Sequence, residues 1–204
     1  MYNILVTGVG SIIGYGIVDG LRKSTVKTRI IGIDIYEDAY GGGLCDRFIQ
    51  GVRADADNFI EFINQLISDN KIDLIIPGIE PDLYKFWSDK DKIKTKVVLN
   101  NDLCLSLSAN KLKTFEYLSK FDITLIPTLH DCTFADCARQ FGVPFIIKPV
   151  FSSGSKGIEL INNEREFEFY TYKLSGKCIY QKIVGSNETE FTVSVFGNGE
   201  GDIL

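Results

Sequence analysis

The sequence is poor in the residues that build metal sites and disulfide frameworks. It contains one histidine, His130, and five cysteines among 204 residues. The cysteines are widely scattered and include no Cys-x-x-Cys pair; they are Cys45, Cys104, Cys132, Cys137 and Cys178. An odd number of isolated cysteines favours free thiols in a reducing compartment over a disulfide framework or a zinc site. We therefore predict a cytoplasmic protein in which residues 1–204 provide no metal ligands.

Long apolar runs, a secretion signal and a basic excess are also lacking. No stretch approaches the roughly 20 apolar residues that a membrane helix requires, and the N-terminus lacks a basic segment with a small-residue cleavage site. The 22 Lys and Arg are outnumbered by 27 Asp and Glu, giving a net charge of −5 that argues against general nucleic-acid binding. With 45% apolar residues, the composition is that of a globular protein of one large domain or two small ones.

The first half of the sequence alternates short apolar runs with helical patterns. The runs at residues 3–6, 30–35, 74–76 and 97–99 have the profile of strands buried on both faces. Between them, apolar residues recur at helical spacing, most clearly over residues 59–67. This alternation predicts a parallel, doubly wound sheet, so we expect a Rossmann-like α/β domain over residues 1–108.

The second half has a different rhythm, which predicts an α+β domain over residues 109–204. Helical patterns occur at residues 110–121, 134–141 and 164–174, and strand-like runs at residues 145–148, 158–161, 178–183 and 190–196, the last followed by a turn at 197–199. Helices gathered beside antiparallel strands favour a separate α+β unit. The sequence ends just as another strand begins, so we expect a truncated or split protein.

A glycine-rich segment follows the first predicted strand. Gly8, Gly10 and Gly14 would allow a tight turn, and the helix N-terminus behind them could hold a phosphate. Asp34, at the end of the second strand, could hold a ribose hydroxyl. However, the Gly-x-Gly-x-x-x-Gly spacing is one residue longer than the dinucleotide-binding pattern. The glycines are equally explained as the turn between a strand and a helix.

A lysine ends the apolar strand at residues 145–148, where burying an ammonium is costly unless an anion meets it. Lys148 is followed at once by a loop of small residues at 152–157, whose N–H groups could close on phosphate oxygens. Lys156 adds a second positive charge, although the segment does not have the Walker A spacing. The alternative is a surface lysine beside a flexible hairpin.

Two further segments are open to more than one interpretation. Residues 179–185 contain the end of one predicted strand and a connection to a second strand that begins near Glu190. These two strands could equally be an ordinary exposed pair. Glu80, Pro81 and Asp82 follow a strand at the end where α/β proteins gather ligands, but they could equally be a loop cap.

Taken in order, these segments resemble the ATP-grasp superfamily, in particular the branch that includes the carbamoyl-phosphate synthase large chain. Residues 7–14 resemble the opening of the family's pre-ATP-grasp domain, and residues 110–114 resemble the lysine-bearing helix that opens the ATP-grasp domain. The remaining matches are to the strand at 126–128, the phosphate-binding strand and flap at 147–157, the adenine-lining strand at 181–183 and the start of the second lobe at 190–193. The resemblance implies a Rossmann-like pre-ATP-grasp domain followed by a partial ATP-grasp domain.

The resemblance implies which residues bind the phosphates of ATP. Lys111 and Lys148 correspond to the two phosphate-binding lysines, whose point charges suit a polyphosphate. The flap over the β- and γ-phosphates corresponds to Ser153, Gly154, Ser155 and Gly157.

The resemblance also implies which residues bind the nucleoside. The adenine contacts correspond to Gln181, Lys182 and Ile183, and the ribose-binding acid corresponds to Glu190, with Glu188 as the less favoured choice. The magnesium ligands of the family lie further along the chain, beyond Leu204.

The implied function is that of an ATP-dependent ligase, which activates a carboxylate as an acylphosphate for attack by an amine or thiol. Its cofactors would be ATP and Mg²⁺, and its partners an unknown small carboxylate and amine, with no nucleic acid or membrane. We expect residues 1–204 alone to be inactive, and either a homo-oligomer or a second chain to supply the remaining lobe. Two alternatives stay open: an NAD(P)-dependent oxidoreductase that uses the loop at residues 8–14, and a non-catalytic binding fragment.

Overall fold

The computed structural model describes residues 1–152, 154–189, 191, 193, 195–197 and 202. The chain divides into two compact units, Met1–Asn101 and Asp102–Leu204. Each unit has its own sheet and its own hydrophobic core.

The first unit, all of which is described, is built on a five-stranded parallel sheet with the order β3-β2-β1-β4-β5. The strands are β1 (Tyr2–Thr7), β2 (Thr28–Asp34), β3 (Arg47–Gln50), β4 (Leu74–Pro77) and β5 (Lys96–Val97). Strands β1 and β2 carry runs of buried apolar residues because both faces of the sheet are covered. The predicted parallel sheet is confirmed.

Three α-helices connect the strands of this unit: α1 (Ile12–Lys23), α2 (Phe59–Asn70) and α3 (Glu80–Ser88). Helix α1 begins after Ser11, whose side chain accepts a hydrogen bond of 2.9 Å from the Gly14 N–H. Short 3₁₀ helices occur at Tyr40–Leu44 and Lys90–Lys92. Phe59 and Phe86 are buried on one face of the sheet and Val18 on the other, so the unit has three layers.

The second unit contains a four-stranded antiparallel sheet, within its described residues, with the order β6-β9-β7-β8. The strands are β6 (Thr128–Leu129), β7 (Phe145–Pro149), β8 (Glu159–Ile161) and β9 (Cys178–Gln181). The helices are α4 (Asp102–Ser108), α5 (Lys111–Leu118), α6 (Phe134–Phe141) and α7 (Glu164–Lys173), with a 3₁₀ turn at Asn187–Thr189. This arrangement confirms the predicted fold class, an α/β unit with a parallel sheet followed by an α+β unit.

The core of the second unit is aromatic. Phe145, Phe167 and Tyr180 pack together on one face of its sheet, and the rings of Phe167 and Tyr180 stack with centroids 4.7 Å apart. Helix α4, which the sequence analysis assigned to residues 1–108, is joined to α5 by a 2.7 Å hydrogen bond from the Thr114 hydroxyl to the Leu107 carbonyl. The compact second unit therefore includes α4 and begins at Asp102, seven residues before the predicted boundary.

Some predicted segments differ from the structure in extent. The helix predicted over residues 110–121 ends at Leu118, and the strand predicted over 178–183 ends at Gln181. The strand predicted over 190–196 and the turn over 197–199 lie partly outside the described residues. In the described part of the chain, no helix combines the length and apolar character needed to cross a membrane.

Candidate functional site

The two faces of the antiparallel sheet in the second unit have different roles. On β7, Ile147 points into the aromatic core, and the next residue, Lys148, lies on the opposite face because side chains alternate along a strand. On β9, Tyr180 belongs to the core and Gln181 lies on the same face as Lys148. The sequence therefore positions one lysine and one amide on the sheet face that the core does not use.

Helix α5 brings a second lysine to this face. The helix begins after Asn110, whose side chain accepts a 2.9 Å hydrogen bond from the Lys113 N–H. The N–H of Lys111 donates to the Val150 carbonyl at 3.0 Å, and its ammonium donates to the carbonyl and, at 2.9 Å, to the hydroxyl of Ser152. The start of α5 is thus anchored to the segment that follows β7.

Lys111, Lys148 and Gln181 line one cavity of about 350 Å³. The remainder of its lining is mainly apolar and comes from α5, from the segment before β6 and from β9; these residues are Thr114, Phe115, Leu118, Thr124, Leu125, Ile126 and Ile179. Neither an aspartate nor a glutamate occurs among the described lining residues. The cavity therefore combines positive charge with apolar walls.

Lys148 is the charged residue of this cavity whose ammonium has no described hydrogen-bond or ion-pair partner. Burial lowers the pKa of its ammonium below the ordinary value. Among the described residues, no hydrogen-bond acceptor or carboxylate lies within bonding distance of its Nζ. Lys148 is half-buried, so its ammonium has lost part of its hydration without gaining a counter-ion, and an anion in the cavity would relieve that cost.

The side-chain amide of Gln181 is held in one orientation. The Thr128 hydroxyl donates to the Ile126 carbonyl at 2.9 Å, so the same oxygen can accept the 2.8 Å hydrogen bond from Gln181 Nε2. This relay leaves Gln181 Oε1 as an acceptor without a donor in the described part of the chain. The cavity therefore offers one oriented carbonyl oxygen to a ligand that carries an N–H group.

The apolar walls of the cavity were not among the site residues predicted from the sequence. Phe115 and Leu118 follow Lys111 by four and seven residues, which is the spacing of one helix face. This spacing is a sequence signal that places all three side chains on one side of the helix. Ile126 and Ile179 gave no such signal because their position depends on how β6, β9 and β7 pair.

Several other predicted site residues do not line this cavity. Lys182 and Ile183 are exposed beyond the end of β9, although the Lys182 N–H still bonds the Pro127 carbonyl at 3.2 Å. The predicted flap residues Gly154, Ser155 and Gly157 are exposed and have positive φ angles of 58°, 57° and 75°. Ser153 and Glu190 lie outside the described residues.

The glycine-rich segment of the first unit has a structural explanation. A Cβ atom at Gly14 would overlap the Gly8 carbonyl oxygen, so the turn requires glycine for close backbone approach. The carboxylate of Asp34 accepts hydrogen bonds from the N–H groups of Gly10 at 2.9 Å and Tyr36 at 3.1 Å. Both Asp34 oxygens therefore stabilise the protein's own loops.

Comparison with known proteins finds relatives for about two thirds of the chain. No protein-family model matches it. A formate-dependent phosphoribosylglycinamide formyltransferase from Prochlorococcus marinus is 28% identical over 151 residues, covering 69% of the chain. The chain spans 35% of the length of that relative.

Solved structures share the fold over most of the chain. The N5-carboxyaminoimidazole synthetase from Staphylococcus aureus complexed with ADP superposes with a TM-score of 0.66 at 19% identity, covering 91% of the chain and 48% of that structure. The biotin carboxylase domain of the Hydrogenobacter thermophilus 2-oxoglutarate carboxylase, in complex with MgADP, ADP and bicarbonate, has a TM-score of 0.64 at 15% identity. That match covers 89% of the chain and 44% of the carboxylase domain chain, so less than half of either structure is represented.

Proposed function

We propose that the chain is the ATP-binding portion of a ligase of the ATP-grasp superfamily, one that joins a carboxylate to an amine or a thiol. The observation that carries this proposal is the shared cavity of Lys111, Lys148 and Gln181, which combines two cations with apolar walls. In this proposal, the first unit is the pre-ATP-grasp domain and the second unit is the first part of the ATP-grasp domain.

The two lysines would bind the phosphates. Lys148 is half-buried and has no described counter-ion, so a phosphate oxygen would replace the water that folding removes from its ammonium. Lys111 is already tied to Ser152, and through it to the loop that was predicted to cover the phosphates. A phosphate that draws Lys111 towards it would therefore also change the hydrogen bonds of Ser152, at the start of that loop.

The apolar part of the cavity would hold the adenine ring. Phe115, Leu118 and Ile179 offer surfaces against which a planar base can pack, and the oriented Gln181 Oε1 can accept a hydrogen bond from its exocyclic amino group. A volume of about 350 Å³ lies in the range of small-molecule sites, which is about 300–1,000 Å³.

ATP would supply the phosphoryl group that activates a carboxylate, and Mg²⁺ would neutralise its developing charge. The family resemblance implies magnesium ligands beyond residue 204, so we expect residues 1–204 to bind nucleotide without turning it over. For that reason, the test is a binding measurement.

The test is isothermal titration of ADP and ATP into the wild-type chain and into Lys148→Met, with Lys177→Met as the matched control. Lys177 is an exposed lysine outside the cavity, so its replacement removes the same charge without touching the site. Since a hydrogen bond to a charged group contributes about 1.5–3 kcal/mol, we expect Lys148→Met to weaken binding by about tenfold or more. Equal affinities of the two variants for ADP and ATP would contradict the proposal. Saturable binding of NADH, without binding of ADP or ATP, would also contradict it.

A further inference from the structure

Two cysteines contact each other at the start of helix α6. The Sγ atoms of Cys132 and Cys137 lie 3.4 Å apart, close enough for one thiol to donate a hydrogen bond to the other. None of the five cysteines, all of which the structure describes, forms a disulfide. The sequence analysis treated both residues as isolated thiols, because they do not have the Cys-x-x-Cys spacing. The nucleotide proposal uses neither of them.

The way in which the chain enters α6 explains why the two thiols meet. Thr133 caps the helix: its hydroxyl accepts a 3.2 Å hydrogen bond from the Asp136 N–H, and the Asp136 carboxylate accepts one of 3.1 Å from the Thr133 N–H. Beside such a capping box, the residue before the cap often packs against the fourth residue of the helix. Here those two residues are Cys132 and Cys137, so a contact usually made by apolar side chains is made by two sulfur atoms.

The two thiols differ in how accessible they are. Cys132 is half-buried, whereas Cys137 is fully buried in the aromatic core of the second unit. Cys178, the other cysteine of this core, lies on β9, and its thiol donates to the Tyr180 hydroxyl at 3.4 Å. A small molecule from solution therefore reaches Cys132 first, and the thiol in contact with Cys132 is that of Cys137.

The protonation of the two thiols follows the same order. Burial raises the pKa of both Cys132 and Cys137 above the ordinary value. The hydrogen bond between them lowers the pKa of Cys132 and raises that of Cys137, while Asp136 and Cys178 raise both and Asp131 raises that of Cys132. Cys132 is therefore the first of the pair to ionise. Because the thiolate is the nucleophile, the pair should react slowly at neutral pH and faster in mild alkali.

We propose that Cys132 and Cys137 form a reversible modification site, which closes to an intramolecular disulfide by exchange with a small disulfide such as oxidised glutathione. The Cys132 thiolate, having lost its proton to solvent, attacks one glutathione sulfur. The S–S bond of glutathione breaks, a mixed disulfide forms on Cys132, and one glutathione leaves as a thiolate that takes up a proton.

The Cys137 thiol completes the reaction from inside the protein. After losing its proton, it attacks Cys132 Sγ, which forms the bond between the two protein sulfurs and releases the second glutathione. The protein thus gives up two protons and two electrons, and oxidised glutathione is reduced to two thiols. The sulfurs need to move only from 3.4 Å to the bond length of about 2.04 Å, so ring closure is favoured over a lasting mixed disulfide.

The experiment incubates the folded chain with oxidised glutathione in mild alkali and follows it by intact-protein and peptide mass spectrometry. All proteins carry Cys104→Ser, which removes the exposed cysteine and its own glutathione adduct. We expect most chains to lose two hydrogen atoms and to yield a peptide that links Cys132 to Cys137, and dithiothreitol should reverse both changes. Cys178→Ser, which replaces the other core cysteine, is the matched control and should form the same link.

The variants of the pair separate the two roles. Cys137→Ser should retain glutathione on Cys132, because the thiol that displaces it is gone. Cys132→Ser should slow modification of Cys137 at least about tenfold, because the buried thiol has lost its accessible partner. Cys132→Ala and Cys137→Ala, which place no hydroxyl in the core, are second variants with the same expected results, and circular dichroism checks that all variants fold.

Four results would overturn the proposal. They are a lasting glutathione adduct on Cys132 while Cys137 is present, a link from either residue to Cys178, no reaction of the pair, and reaction only after urea has unfolded the chain. In any of these cases, the two thiols serve only to pack the start of α6.

Discussion

Two ionisable side chains, Lys148 and Asp82, have lost contact with water without an opposite charge within ion-pair distance among the described residues. Lys148 is half-buried and lines the cavity proposed for ATP, whereas Asp82 is buried in the first unit. Charges that are withdrawn from water without a partner reduce the stability of a folded protein. For Lys148 this supports the nucleotide proposal, because a phosphate would supply the missing opposite charge.

The charge on Asp82 predicts a pH-dependent loss of stability. Its pKa rises from the ordinary value of 3.8, expected in the unfolded chain, to about 6 in the folded one, because burial disfavours the carboxylate and Asp34 repels it. The folded state is therefore not penalised below pH 3.8, and it loses stability as the pH rises from there through about 6. The full loss corresponds to about 3 kcal/mol.

We therefore expect Asp82→Asn to stabilise the protein relative to the wild type above about pH 6, with a difference that shrinks as the pH falls from about 6 towards 4. Urea unfolding of both proteins across this range measures the difference. Arg53, Asp55 and Asp34 are common to both proteins, so their titration largely cancels in the comparison. A difference in unfolding free energy that does not change with pH would contradict the assignment of the raised pKa to Asp82.

At these two positions the sequence was informative to different degrees. Lys148 could be singled out from the sequence as a candidate site residue because a lysine within an apolar strand is unusual on its own. Asp82 could be placed at the end of a strand, but its burial and its lack of partners depend on how α3 meets Thr7 and Asp34. The residues that make those contacts are separated by tens of positions along the chain, so no local sequence pattern predicts them.

Among the helices, α1 shows how closely one element can approach the sheet. A Cβ atom at Gly14 would overlap the Gly8 carbonyl oxygen, and one at Gly78 would lie 2.6 Å from the Gly14 Cα. The backbone at the start of α1 is therefore in direct contact with the turns that follow β1 and β4. Gly16 and Gly20 lie in the same helix with no atom within 4 Å of a Cβ position.

We expect Gly14→Ala to destabilise the first unit by about 1–3 kcal/mol, because the helix must move away from the sheet. Gly16→Ala is the matched control in the same helix. It should stabilise by about 0.5–1 kcal/mol, since alanine lowers the conformational entropy of the unfolded chain and fits an open helix position. Thermal unfolding of both variants measures the two changes in stability. Equal changes would contradict the claim that glycine at position 14 is needed for the close approach of α1 to the sheet.

Helices and strands were predictable where packing agrees with local pattern. The alternation in residues 1–101 gave the parallel sheet, because strands buried on both faces and amphipathic helices have distinct periods. The helix predicted over residues 110–121 is shorter, and Phe121, at the end of that prediction, is 52% exposed. Apolar spacing alone could not reveal that this last predicted turn is largely open to solvent.

Across the whole molecule, the proposed nucleotide site draws its lining from the second unit. ADP should therefore slow amide hydrogen exchange mainly in α5, β7 and β9. Exchange followed by mass spectrometry measures the effect; protection by ADP that is strongest at residues 8–14 would contradict this placement.

The order of motifs along the chain predicted the fold class, because six loosely defined segments occur in one sequence order. The same motifs did not predict the walls of the proposed nucleotide cavity, which come from residues on α5, the segment before β6 and β9. Sequence order specified the architecture, and tertiary contacts completed the cavity.

The most direct test of the account is a crystal structure of the chain with bound ADP. We predict that the diphosphate lies within hydrogen-bonding distance of Lys148 and Lys111, with the adenine ring against Phe115 and its amino group at Gln181 Oε1. Density for the nucleotide at the loop of residues 8–14, with the cavity between α5 and β7 left without it, would contradict the central claim.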